Sequence, residues 1–320
     1  MFDPILVPLD GSLLAECVLP HVMALGQAFN ANIILLHVLD RDRAGASGQL
    51  FDLLNWQINK TEAKLYLERI GDRLQKLGLP TKAIVLEGVV PESITEFAQR
   101  QGTKLIVLSS HGRGGLRKWG ISSVTQKIIL SAPTSILIVR AHQSEVSQEV
   151  EQHYSRILMP LDGSRRAENL LPIVAQLGHF HKSQIHIVHV VETPDMARPM
   201  PLAHEDVDLS NRIVARNREE ALRYLEQARL STPLAGDAVP THLLTSHDAA
   251  AALHELVKAE RISLVALSAH GYSGNDQWPY GSLVDNFILY GQVPLLIVQD
   301  LPAKEEANRV EMASRVRAGH

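Results

Sequence analysis

Two stretches of the chain carry the residues best suited to chemistry: "SSHGRGGLRKWGISS" (Ser109–Ser123) and "SAHGYSGNDQWPYGS" (Ser268–Ser282). Each runs Ser-x-His-Gly into a glycine-containing loop and closes on Ser-Ser or Gly-Ser at the same spacing. Backbone N–H groups of such a loop, leading into a helix N-terminus, can hold phosphate oxygens without charged side chains. A second recurring element is Asp-Gly-Ser, at Asp10–Ser12 and Asp162–Ser164. Its aspartate can accept hydrogen bonds from a ribose or an adenine edge. It can equally do no more than cap the helix that follows, where a negative charge suits the helix dipole. His111 and His270 invite an acid–base reading, against which stands simple bracing of the loop. Bracing is favoured, because no Ser or Cys nucleophile with an orienting acid pairs with either. "HFHKSQIHIVH" (His179–His189) places His186 and His189 on opposite faces of a strand and matches no zinc spacing.

These elements must be held at strand ends, and the chain supplies the strands twice. "ILVPLDGSLLAECVLPHVMALG" (Ile5–Gly26) returns as "ILMPLDGSRRAENLLPIVAQLG" (Ile157–Gly178), an offset of 152. Later the offset is 159, with His270 answering His111 and "PLLIV" answering "SILIV". So long and ordered a match is a tandem duplication. Short apolar runs such as "ILVPL" and "NIILLHVL" read as strands buried on both faces, with helices between them. One helix is expected over "LLAECVLPHVMALG", and a long amphipathic one over "LLNWQINKTEAKLYLERIGDRLQKLG". Such alternation means α/β architecture with a parallel sheet and right-handed crossovers, and the ligand crevice of such a sheet lies at the carboxyl ends of its strands. The expected organisation is a first domain over 1–141, a polar linker over 142–153, a second domain over 154–302 and a charged tail over 303–320.

Composition narrows the function classes. At 320 residues the chain has room for two domains, and 45% apolar with 21% charged residues describes ordinary globular cores. A net charge of −4 argues against non-specific nucleic-acid binding. No run of about 18 apolar residues suggests a membrane span, and "MFDPILVPLDGS" shows no secretory signal. The lone Cys17 cannot form an internal disulfide, so a cytoplasmic protein with no membrane partner is expected.

Taken together, the chain resembles the universal stress protein family in its tandem, two-domain form, and the likeness covers nearly its whole length. The resemblance implies two Rossmann-like domains of the adenine nucleotide alpha hydrolase-like type. Each has a five-stranded parallel sheet with helices on both faces, and an edge strand free for antiparallel domain pairing. It implies ATP or another adenine nucleotide as ligand, with Mg2+ held through the phosphates. The family's phosphate motif, G-x2-G-x9-G-[ST], falls on Ser109, Gly112, Ser122 and Ser123, and on Ser268, Gly271, Gly281 and Ser282, with Val124 and Leu283 next in line. Adenine and ribose contacts fall on Pro8, Leu9 and Asp10, and on Pro160, Leu161 and Asp162, with Val38 or Val190 lining the adenine pocket. The copies depart from the motif differently. The first has Ser122 for the third glycine but keeps Arg113, Arg117 and Lys118. The second keeps Gly281 but has Asn275, Asp276 and Gln277 in place of the cations. The first loop is therefore expected to be weakened in geometry and the second in charge.

The resemblance also implies that the halves pair within the chain through "SILIV" and "PLLIV", and that two chains then form a homodimer. The functional expectation is a stress-response regulator acting through nucleotide occupancy or assembly, without catalysis. A nucleotide-independent scaffold, or a binder of another small ligand, is the alternative. "PLDGS" is not an ATP pyrophosphatase loop, and "QLGH" (Gln176–His179) lacks the first histidine of a nucleotidyltransferase signature.

Overall fold

The computed structural model describes residues 1–40, 50–112, 120–141, 152–194, 204–231, 239–271 and 280–299, with backbone only for 50–54. The first copy runs β1 (Ile5–Pro8), α1 (Leu13–Glu16), α2 (Leu19–Phe29), β2 (Ile33–Asp40) and α3 (Leu50–Lys76). It continues through β3 (Thr81–Gly88), α4 (Val90–Arg100), β4 (Leu105–Ser109), α5 (Ser123–Ser131) and β5 (Ser135–Val139). The second copy runs β6 (Arg156–Pro160), α6 (Arg165–Glu168), α7 (Leu170–His181), β7 (Gln184–Glu192) and α8 (His204–Ser231). It ends with β8 (Thr241–Ser246), α9 (Ala249–Ala259), β9 (Leu264–Ser268), α10 (Ser282–Tyr290) and β10 (Leu295–Val298).

Two compact units result, one of residues 1–153 and 288–320, the other of residues 154–287. In the first, the strand order is β3-β2-β1-β4-β5, with every pair parallel. The order reverses between β1 and β4, which places the crevice at the ends of those two strands. In the second unit β9-β6-β7-β8 repeats the same order, again all parallel. Both are the parallel α/β architecture that strand–helix alternation predicts. The central strands are apolar along their whole length because helices cover both faces: Ile5, Leu6, Val7, Leu105, Ile106 and Val107 have no exposed surface at all.

β10 is the second copy's counterpart of β5, yet its contacts place it in the first unit. There it pairs antiparallel with β5, Leu296 opposite Leu137 and Ile297 opposite Ile136. This is the antiparallel pairing of "SILIV" with "PLLIV" that the family resemblance implies. It covers the β5 edge, so that edge cannot also join two chains.

The helix expected over Leu13–Gly26 is two helices. α1 stops at Glu16 and α2 starts at Leu19, because Pro20 has no N–H to donate back to Glu16 and its ring clashes with that carbonyl. Pro172 divides α6 from α7 in the same way. α2 then runs past Gly26 to Phe29 and ends on Asn30 in the left-handed conformation. The expected linker beyond Ala141, as far as residue 151, and the charged tail lie outside the described residues.

Candidate functional site

The site is built where β1 and β4 end. Leu9 extends the β1–β2 ladder by one bond, its N–H donating to the Leu36 carbonyl (2.8 Å). The chain then turns sharply at Gly11, whose φ of 81° suits glycine. Asp10 Oδ1 accepts from the Ser12 N–H (2.9 Å) and from the Ser12 hydroxyl (2.6 Å), while Ser12 Oγ accepts from Ala15 N at the start of α1 (3.1 Å). The helix-capping reading of Asp-Gly-Ser is therefore realised, and it uses one carboxylate oxygen. In the second copy Gly163 turns at φ 85°, Asp162 Oδ1 accepts from Ser164 N (2.9 Å) and Ser164 caps α6.

The other carboxylate oxygen meets the second loop. A Cβ placed on Gly112 would fall inside the Asp10 carboxylate, and one on Gly271 would fall inside that of Asp162. The glycine of each Ser-x-His-Gly is thus where the two recurring motifs touch, and any side chain there must displace the aspartate or the loop. The position aligned with the third family glycine is different. A Cβ on Gly281 would meet only the Ala269 carbonyl, at 3.9 Å. Ser122 and Gly281 make the same backbone bond, their N–H groups donating to the carbonyls of Ser110 (2.8 Å) and Ala269 (2.9 Å). Ser122 adds a cap, its Oγ accepting from Thr125 N (3.0 Å) at the first turn of α5. Ser122 itself keeps an ordinary extended conformation, φ −65° and ψ 152°, which a non-glycine residue adopts without strain.

The remaining loop residues brace it. Ser109 Oγ reaches the carbonyls of His111 (2.6 Å) and Leu14 (3.0 Å), tying the loop to α1. The Ser110 hydroxyl accepts from Ala141 N (3.0 Å) and lies 3.1 Å from His111 Nδ1, positioned to donate. His111 and His270 are both buried, His270 completely.

Among the described residues, all the first-copy candidates line a single cavity of about 620 Å³. Pro8, Leu9 and Asp10 reach it from the end of β1, Val38 from β2, Ser109 and Gly112 from the β4 loop, and Ser122, Ser123 and Val124 from the start of α5. The acidic side chains on its described wall are Asp10, Asp40 and Glu62, and no described lysine or arginine lines it. The expected cations Arg113, Arg117 and Lys118 lie outside the described residues, as do Asn275, Asp276 and Gln277. In the second copy Pro160, Leu161 and Asp162 end β6, Val190 sits on β7, Ser268 ends β9, and Gly281, Ser282 and Leu283 lead into α10. Asp162 and Gly271 stand in the same relation as Asp10 and Gly112.

Motif reasoning missed one wall. Trp56, Asn59, Glu62 and Tyr66 of α3 line the cavity opposite the loops. The signal was present as a third register of the repeat: "NKTEAKLYLE" (Asn59–Glu68) returns as "NREEALRYLE" (Asn217–Glu226), offset by 158. Its anchoring is repeated too. Lys60 Nζ contacts Glu87 Oε1 on β3 (2.9 Å), and Arg218 donates to Thr245 Oγ1 at the same register on β8 (2.5 Å). Burial, then the neighbouring Glu16 carboxylate and Asp10, push the Tyr66 hydroxyl above the usual tyrosine range, with Arg69 opposing. Tyr224 is raised by burial, Glu168 and Asp162 in the same way.

His186 does meet another histidine, its Nδ1 lying 3.0 Å from His242 Nε2. Among the described residues no three His, Cys, Asp or Glu side chains are grouped to hold a metal ion. No described helix is long and apolar enough to cross a membrane.

Residues 1–140 and 153–299 each match the model of the universal stress protein family. The chain belongs to that family. Over 159 residues it is 31% identical to universal stress protein MJ0577 of Methanocaldococcus jannaschii, covering 45% of this chain and 98% of that one. Over 150 residues it is 27% identical to universal stress protein YxiE of Bacillus subtilis, covering 44% and 100%. These single-domain relatives each account for one copy. A universal stress protein structure from Archaeoglobus fulgidus spans both, covering 94% of this chain and 100% of its own with a TM-score of 0.63. At 15% identity that likeness is one of fold.

Proposed function

We propose that the first domain of this universal stress protein binds an adenine nucleotide and that occupancy of the site is the signal a cytoplasmic stress response reads. The observation that carries the proposal is convergence. Residues from four separate strand and helix ends, those that the family resemblance singles out, line one cavity of about 620 Å³, a volume within the range of small-molecule sites. Polarity orients the ligand. The N-terminus of α5, with Ser122, Ser123 and Val124 at its mouth, is the electropositive end where phosphate belongs. Asp10, with Val38 beside it, suits the hydrogen-bond donors and the plane of the nucleoside. The three carboxylates on the described wall favour a nucleotide carrying Mg2+ on its phosphates over the free polyanion. No turnover is assigned: the two imidazoles on the described wall, His37 and His111, are both buried, and His111 is engaged with Ser110.

The test is mass spectrometry of small molecules released on denaturing the purified chain, with calorimetric titration of ATP, ADP and AMP in the presence and absence of magnesium. Release of an adenine nucleotide, or ATP binding strengthened by magnesium, is the expected result. No released nucleotide and no heat at millimolar ATP would leave the protein a nucleotide-independent scaffold.

A further inference from the structure

α3 meets the sheet with one stripe of side chains. Ala63, Leu67, Ile70 and Leu74 follow one another along it, all under 7% exposed, as an amphipathic helix requires. One and two turns further toward the N-terminus the stripe arrives at Asn59 and Trp56, and there it leaves the core. Trp56 is half-buried and lines the cavity. A large, half-buried planar ring on the inward stripe of a helix shares the wall of a void with Val38, an arrangement that suits a flat apolar ligand group. The long helix is held in this position by Lys60 on Glu87 (2.9 Å), immediately beside Asn59.

We propose that Trp56 is a base-stacking residue of the first site, so that the ligand there is recognised by an aromatic ring as well as by its phosphate. This rests on the nucleotide reading above and adds to it a residue outside the loop motifs. The three parts of the cavity then have separate tasks. The α5 N-terminus takes the anion, Asp10 takes hydrogen-bond donors, and Trp56 with Val38 encloses the flat base. Stacking of a base on an aromatic side chain is worth a change of affinity on the order of tenfold. The second domain lacks this contribution. The helix repeat conserves Asn217, Glu220, Ala221 and Tyr224 at their registers, but the counterpart of Trp56 is Val214, half-buried on α8. Two sites with equal loops would therefore differ in affinity for a base.

The test is calorimetric titration of the full chain with ATP, with adenosine, and with ribose 5-phosphate as the base-free probe, in wild type, Trp56→Leu and Trp56→Phe. Trp56→Leu is expected to weaken ATP and adenosine on the order of tenfold and to leave ribose 5-phosphate unchanged, while Trp56→Phe stays within about threefold. The quench of tryptophan fluorescence by ATP is expected to fall in Trp56→Phe, a readout available even where the leucine variant misfolds. Wild-type affinity in Trp56→Leu, equal weakening of ribose 5-phosphate, or an undiminished quench in Trp56→Phe would overturn the stacking role alone. Absence of any ATP or adenosine binding by the wild type would overturn the nucleotide reading and this inference with it.

Discussion

Gly112→Ala tests the joint between the two motifs. The added methyl would occupy space now filled by the Asp10 carboxylate, and Gly112 has no left-handed backbone to complicate the result. Either the loop retreats or Asp10 swings out. If Asp10 moves, Oδ1 gives up the Ser12 N–H at 2.9 Å and the Ser12 hydroxyl at 2.6 Å, which together hold the turn into α1. A hydrogen bond to a charged group contributes about 1.5–3 kcal/mol, and the half-buried carboxylate regains some water on moving. The expected destabilisation is therefore about 2–3 kcal/mol, less than the sum of the two bonds. Urea unfolding measured by circular dichroism reads it directly. Gly271→Ala, against Asp162, should cost a similar amount. Gly281→Ala, with its nearest atom at 3.9 Å, should cost about 1 kcal/mol or less, the loss of a glycine N-cap alone. In Asp10→Ala the space is vacant, so adding Gly112→Ala should then cost about 1 kcal/mol or less, a strongly non-additive cycle. Equal stability of the Gly112→Ala and Gly281→Ala proteins, or an additive cycle with Asp10→Ala, would refute the contact as the reason for the glycine.

Two further outcomes follow from single residues. His21, buried in α2, has its pKa lowered to about 4 by desolvation. The unfolded chain therefore takes up a proton near pH 6.5 that the folded chain refuses until about pH 4. Stability should be full above pH 6.5 and fall through that window by roughly 3 kcal/mol, and His21→Gln should flatten the slope of the unfolding midpoint against pH there. Ser122→Ala should destabilise by about 1 kcal/mol through loss of the α5 cap, whereas Ser122→Gly should cost a few tenths of a kcal/mol, measured by thermal unfolding.

The two copies show how far pattern carries. Apolar runs, turn residues and a match of one half to the other are all local in the chain, so strands, helices and their parallel arrangement are legible from "ILVPLDGS" and "ILMPLDGS" alone. The same spacing rules pick out Asp10 and Gly112 as members of two motifs, and the sheet order brings those motifs together. Even the division of α1 from α2 was written in Pro20, a signal the apolar periodicity overshadowed.

What the sequence by itself determined is the duplication, the α/β architecture and the loops that a ligand would meet. Tertiary structure decided which described glycine of each loop meets the other motif. Motif alignment stresses Gly281 and its counterpart Ser122, but among the described loop residues it is Gly112 and Gly271 that lie against a carboxylate brought from about a hundred residues away. It also decided that α3 forms a wall of the cavity, since Trp56 and Tyr66 meet Asp10 and Val38 only after the chain has folded back across the sheet. The antiparallel pairing of β10 with β5 is of the same kind, since it joins strands of different repeats. Local pattern specifies which face of an element is apolar. Which partner that face meets depends on how distant segments close upon one another.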